Sequence, residues 1–302
     1  MNRTRAKRVF FATAALFCAI GAWFYFRGSP AEIAKGKPSI ILFSFDTLRA
    51  DHLSCYGYER KTSPFVDKFA KESVLFENAL TQGAKTASAH MSIFTSVLPV
   101  VHGVSNIPVK GKCEYRTLPD YFETLPEVLK EQGYITAGFT GGGNVDGSLG
   151  FERGFDHYSK DIRWNNLYRD PKSLRHLRDW IKKSKKQRKP LFLFLHHYIC
   201  HEPYMKGPRN LRLQFMEKKV EGLPVDPQDL GPGKDYFSRK TKFWKNMDLS
   251  NPDHRRHVIA LYDGGVLYAD SVFQMILDVL RKEGLYDDSL IILLSDHGEE
   301  FY

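Results

Sequence analysis

Apolar residues in this chain fall into short unbroken runs, separated by longer stretches in which they recur at helical spacing. Residues 39–45 (SIILFSF), 134–139, 191–195 and 290–295 are runs of the first kind. Runs this short and this apolar predict strands buried on both faces, as in a parallel sheet. Helical spacing covers 65–73, where Phe65, Val66, Phe69 and Ala70 share a face and Pro64 suits a first helical position. It recurs over about 88–97, stopped by Pro99, and over 124–132, stopped by Gly133. Further helices are predicted over 171–185 and 255–283, the last stopped by Gly284. Residues 205–252 are polar and contain Pro and Gly, and predict a long surface excursion. Strands alternating with helices predict an α/β fold.

The first apolar run leads into Asp46, and the last into Asp296-His297-Gly298-Glu299. Ligands of open α/β sheets sit beyond the carboxyl ends of the strands. Asp46, Asp296 and His297 are therefore expected to converge on one rim, although they lie far apart in the chain. Two carboxylates and an imidazole suit a divalent cation. Either Asp alone would read as a turn cap. Thr86 precedes the helix predicted near Ser88. It is either an ordinary N-cap or a hydroxyl activated by the positive end of the helix dipole. His201, in the stretch His196-His197-Tyr198-Ile199-Cys200-His201-Glu202-Pro203-Tyr204, follows a buried strand. It reads either as a general acid or anion contact, or as an exposed loop histidine. The three histidines are not at a zinc spacing.

Composition narrows the class. Of 302 residues, 42% are hydrophobic and 14% aromatic, which excludes global disorder. The net charge of +9 favours anionic surroundings: phospholipid, a polyanionic glycan or an anionic substrate. No nucleic-acid recognition module is present. Residues 9–26 form an apolar run without a charge, behind Arg3, Arg5, Lys7 and Arg8. Its length and its aromatic end, Trp23 to Phe26, predict an uncleaved membrane anchor rather than a cleaved signal. The basic flank would keep the N-terminus cytoplasmic and the remainder outside. The predicted organisation is a basic tail (1–8), a transmembrane anchor (9–26), a linker (27–37) and one α/β domain (38–302). The basic segment 182–189 reads as a solvated helix end. Cys18, Cys55, Cys113 and Cys200 include no C-x-x-C pair, which argues against zinc–thiolate chemistry.

Several ordered motifs resemble the sulfatase family of the alkaline phosphatase superfamily. They are Asp46-Thr47-Leu48-Arg49-Ala50-Asp51-His52-Leu53 with Tyr56-Gly57-Tyr58, Thr62-Ser63-Pro64-Phe65-Val66-Asp67, Phe76-Glu77-Asn78-Ala79, Gly133-Tyr134, and Gly150-Phe151-Glu152-Arg153-Gly154-Phe155-Asp156. His201-Glu202-Pro203-Tyr204 and Ser295-Asp296-His297-Gly298-Glu299 complete the set. The resemblance runs from about residue 38 to the end. It implies a central mixed, mostly parallel sheet between helices, a divalent ion (Ca, Mn or Zn) at its rim, and Asp46, Asp296 and His297 as ligands. Sulfatases carry Cys-x-Pro-Ser-Arg at the nucleophile. Alignment through Ser92-Ile93-Phe94-Thr95-Ser96 puts Thr86 in the Cys position and His90 in the Arg position. No cysteine of this chain lies in such a motif, which argues against formylglycine chemistry. Thr at this position resembles the branch that transfers phosphoethanolamine or phosphoglycerol, where a metal-bound Thr is the nucleophile. The resemblance thus implies Thr86 as nucleophile and ligand, with His201 and His90 as further catalytic residues. Thr47 stands where many sulfatases have a second Asp, which implies a thinner metal shell. The family pattern continues past the Asp-His-Gly-Glu block, so the resemblance implies an incomplete C-terminus. The expectation is a membrane-anchored hydrolase of sulfuric or phosphoric esters on a glycan, lipid or small molecule. The alternatives are a phosphoethanolamine- or phosphoglycerol-type transferase and an inactive, truncated binding module.

Overall fold

The computed structural model describes residues 36–109, 112–164, 167–168, 171–231 and 236–301. The predicted tail and anchor, and nearly all of the linker, lie outside the described residues. Among the described residues, no helix is long and apolar enough to cross a membrane.

The strands are β1 (Ser39–Phe45), β2 (Ser105–Val109), β3 (Lys112–Arg116), β4 (Ile135–Phe139), β5 (His157–Ser159), β6 (Leu191–His197) and β7 (Ser289–Ser295). The principal helices are α1 (Pro64–Lys71), α2 (Thr86–Thr95), α3 (Leu125–Glu131), α4 (Lys172–Lys185), α5 (Tyr236–Trp244) and α6 (Pro252–Lys282). Five strands form one sheet in the order β5-β4-β6-β1-β7, and every pairing in it is parallel. The expected mostly parallel central sheet is thus present, and among the described residues the antiparallel pair β2–β3 forms a separate hairpin.

Side chains alternate across the sheet and build two cores. On one face Ile41, Phe43, Phe45, Leu193 and Leu195 pack with Phe273, Leu277 and other residues of α6. On the other, Leu42, Phe192 and Phe194 meet Ala87, Met91 and Phe94 of α2. β1 and β6 are buried on both faces, as their runs predict. β7 is not. It sits at the sheet edge, with Leu290 52% exposed and Ile292 partly so. An apolar run reports strand formation, but not whether a neighbour covers the second side.

Local chemistry sets the helix ends. Thr124 and Glu127 form a reciprocal capping box at the start of α3, with Glu127 Oε2 accepting from the Thr124 backbone N–H at 2.9 Å. Pro252 opens α6 behind Asn251, whose side chain accepts from Asp253 N–H. The helix expected near Ser88 begins at Thr86 instead, and Pro99 opens a further helical turn, Pro99–His102. The stretch read as a surface excursion is corrected more substantially. It contains the turn Arg209–Arg212 and α5, and it buries Met205, Arg212, Leu223, Val225, Leu230 and Phe243.

Candidate active site

β1 and β7 run in register, with Phe45 opposite Ser295, so Asp46 and Asp296 leave the sheet side by side. On the other flank of β1, Ser44 lies opposite His196 and Phe45 opposite His197. Asp46 N–H donates to His197 O at 3.1 Å. Both carboxylate residues have 0% solvent exposure. The chain then turns at Thr47, whose φ of +59° is uncommon for a β-branched residue. Four hydrogen bonds fix this turn. Thr47 N–H donates to Asp296 Oδ1 at 3.1 Å, and Leu48 N–H to Ser295 Oγ at 3.0 Å. Tyr262 of α6 donates to Thr47 O at 2.7 Å and accepts from Arg49 N–H at 2.8 Å.

Thr86 is the first residue of α2, and Lys85 occupies the N-cap position. The Thr86 hydroxyl is therefore not the helix cap. It donates to Asp46 Oδ2 at 3.1 Å and lies 3.4 Å from His297 Nε2. His297 Nδ1 donates to Gly298 O at 2.7 Å, which leaves the Nε2 lone pair facing Thr86. One turn along α2, His90 Nδ1 donates to Thr86 O at 2.9 Å, and its Nε2 accepts from Ser44 Oγ at 2.8 Å. The same Nδ1 is 3.4 Å from Asp296 Oδ2. With both nitrogens engaged, His90 props the first turn of α2 against the carboxylates.

His196, which sequence reasoning passed over, is fully buried with Nε2 3.4 Å from Asp46 Oδ2. Its ring meets that of His90 at 4.8 Å between centroids. Burial pushes both imidazoles down to about 4, so they are neutral at pH 7. Burial, and then the charge of Asp296, pushes Asp46 up to about 6. Asp46 Oδ1, Asp296 Oδ2 and both nitrogens of His196 have no hydrogen-bond partner among the described residues. Buried acceptors without donors are costly unless a cation meets them. The ligand atoms of Asp46, Asp296 and His297 lie within 4.8 Å of one another, as do those of His90, His196 and Asp296. The carboxylate and imidazole donors of Asp46, Asp296 and His297 fit a divalent cation, whereas both His90 nitrogens are already hydrogen-bonded.

His201 stands at the rim, with Nε2 4.0 Å from Asp46 Oδ1. Burial lowers its pKa. The neighbouring Glu202 accepts from Tyr236 Oη at 2.9 Å and Trp244 Nε1 at 2.5 Å, and pairs with Lys240, which ties α5 to the His201 loop. Lys206 donates to the carbonyls of Tyr198 and His201, the latter at 2.9 Å. Of the residues predicted from sequence, Asp46, Thr86, Asp296 and His297 converge, His90 lies directly behind them, and His201 borders the cleft. His196 and Ser44 are the additions.

The sulfatase family model matches residues 38–302. An arylsulfatase of Hemicentrotus pulcherrimus is 25% identical over 272 residues, covering 87% of this chain and 47% of its own length. The chain thus spans about half the length of that curated relative. Among solved structures, the periplasmic domain of the phosphoethanolamine transferase EptC from Campylobacter jejuni superposes with a TM-score of 0.59 at 20% identity, covering 88% of this chain and 70% of that one. The corresponding domain of EcEptC from Escherichia coli, solved with Zn, gives 0.59 at 17% identity, covering 90% and 66%. At these identities the structural likeness establishes the fold.

Proposed function

The chain belongs to the sulfatase family, and from that premise we propose that it cleaves sulfuric or phosphoric esters with a divalent cation, using Thr86 as nucleophile. The observation that carries this reading is the Thr86 hydroxyl, 3.1 Å from Asp46 Oδ2 and 3.4 Å from His297 Nε2 at the first turn of α2. Asp46, Asp296, His297 and Thr86 would hold the ion. When bound, such an ion lowers the pKa of a hydroxyl and neutralises developing oxyanion charge. Asp46 orients the Thr86 oxygen by accepting its hydrogen bond. The free N–H groups at the start of α2 face negative charge favourably. Thr86 Oγ then attacks the sulfur or phosphorus centre as its proton passes to Asp46 Oδ2, the bond to the leaving oxygen breaks, and water afterwards releases the group from Thr86. The leaving oxygen takes its proton from water at the rim, where His201, its ring proton on Nδ1 toward Glu202 O at 3.3 Å, offers Nε2 as an acceptor to hold that water. His90 and Ser44 hold the turn beneath Thr86 in place. The substrates are anionic esters on a glycan, lipid or small molecule, in keeping with the net charge of +9. Membrane attachment through residues 9–26, with the domain outside the cytoplasm, is part of the same proposal and is supported by the apolar run and its basic flank.

One observation favours a second reading. A plain hydroxyl, rather than a formylglycine-forming cysteine, occupies position 86, and the fold superposes on a phosphoethanolamine transferase. Transfer of a phosphoryl-linked group through a Thr86 ester is therefore the alternative. Rapid quench with labelled aryl sulfate and aryl phosphodiester, followed by mass spectrometry of the peptide containing Thr86, tests both. A sulfated or phosphorylated Thr86 is expected, and its added mass names the branch. Thr86→Ala should lower turnover by at least about 10³-fold, and Thr86→Ser should retain part of it. Turnover by Thr86→Ala within a few-fold of wild type would overturn the assignment. No turnover of any ester together with no metal uptake would leave the binding module as the better reading.

A further inference from the structure

A cavity of 920 Å³ lies beyond the carboxyl end of β6, outside the carboxylate–histidine cluster, between the loop after β4, residues 205–212 and α6. Three of its lining side chains are almost wholly buried: Trp164 (2% exposed), Arg212 (3%) and His197 (2%). Trp164 Nε1, Arg212 Nε and Nη1, and His197 Nε2 have no hydrogen-bond partner among the described residues. All of them are donors. An indole N–H and a guanidinium can only donate. His197 Nδ1 accepts from Ile199 N–H at 3.2 Å, which places the ring proton on Nε2. Three buried residues that line one cavity, each with a donor unanswered among the described residues, suit a ligand rich in acceptors.

Charge points the same way. Arg163, Lys206, Arg209 and Arg239 line the cavity with Arg212, against the single carboxylate of Asp226. Asp226 is already engaged by Arg212 and by Arg209 Nε at 3.0 Å. The shape of the wall is built in. Gly207 (φ +89°) lets the chain beside Lys206 pass over the Tyr268 ring, which a Cβ there would meet at 2.4 Å. Tyr268 in turn donates to Trp164 O at 3.0 Å and accepts from Leu167 N–H at 3.2 Å, holding the main chain that carries the indole.

We propose that this cavity is an oxyanion-binding site separate from the ester-cleaving cluster, taking a sulfate, phosphate or similar group with several acceptor oxygens. The group comes either from a second anionic substituent of a substrate or from the free ion. The site does not depend on the role assigned to Thr86.

The test is titration calorimetry of the full chain, chelated free of metal, with inorganic sulfate and inorganic phosphate. Saturable binding of one ion per chain is expected. Trp164→Phe keeps the ring and removes the N–H, and should weaken binding about tenfold, the equivalent of one good charge-assisted bond. The exposed pair Arg163→Ala and Arg239→Ala should weaken it further and flatten its salt dependence. Titration with a monosulfated and a disulfated disaccharide separates the sources. Tighter binding of the disulfated sugar, lost in Trp164→Phe, assigns the site to a substrate substituent, whereas equal or weaker binding than inorganic sulfate assigns it to the free ion. Absence of saturable binding, or binding untouched by both Trp164→Phe and the arginine pair, would overturn the proposal.

Discussion

At the level of single residues, the site is a contest between burial and charge. Asp46 and Asp296 are wholly buried next to each other, and burial holds their neighbours His90 and His196 neutral at pH 7. A bound divalent ion resolves that imbalance more completely than a shared proton does. His196 is the sharpest probe, because its Nε2 faces Asp46 Oδ2 at 3.4 Å while its nitrogens bond nothing else described. His196→Asn should lower metal affinity about 10–100-fold, read by competition with a fluorescent chelator. An unchanged affinity would reduce His196 to a packing residue. The acidic members of the cluster were legible in the sequence because each follows an apolar strand, and strand ends are where such sheets bind. Thr86 was legible as a hydroxyl near a helix start, but its bond to Asp46 was not. His196 was not legible either. Its partnership with Asp46 comes from the pairing of β6 with β1, a contact between segments far apart in sequence that no local pattern encodes.

At the level of elements, α6 does more than cover the sheet. Asp270 on α6 is buried against the start of α1, accepting from Val66 N–H at 2.7 Å and Phe65 N–H at 3.1 Å. It thereby caps a helix more than 200 positions away whose own N-cap residue, Ser63, makes no side-chain cap bond. Burial pushes Asp270 up to about 7. The folded state then holds its proton through a range in which the unfolded chain has released it. Stability from this group is therefore full below about pH 4, falls as pH rises to about 7, and is flat above that. Urea titrations of Asp270→Asn between pH 4 and 8 should lack that slope, and a slope equal to wild type would contradict the assignment. The strands β1, β4 and β6 and the helices α1, α3, α4 and α6 were legible because their apolar periods are unmixed. The hairpin β2–β3 and the short strand β5 were not, having too few apolar positions to set a period. Residues 205–252 misread as surface because their buried side chains are spaced irregularly among polar ones. Phe243 in α5, fully buried against Tyr204 and Trp244, tests that correction. Phe243→Ala should cost about 3–5 kcal/mol in denaturant unfolding, where a surface residue would cost under about 0.5 kcal/mol.

At the scale of the whole molecule, a sheet with every strand parallel sends all its carboxyl ends to one rim. Asp46, His196, Asp296 and the loop bearing His201 meet there for that reason, and α2 enters from the side to add Thr86. The basic cavity beyond β6 shares the rim, with Lys206 and Tyr198 between it and the cluster. Asp46, Thr86, Asp296 and His297 together form the proposed site of a divalent cation. Its most direct test is thermal unfolding of the chelated chain with added Zn²⁺, Mn²⁺ or Ca²⁺, alongside Asp46→Asn and Asp296→Asn. One of these ions, at about 100 times its Kd, should stabilise the wild-type chain by about 2.7 kcal/mol, and neither variant should respond. Equal stabilisation of wild type and both variants, or none by any of the three ions, would contradict the account.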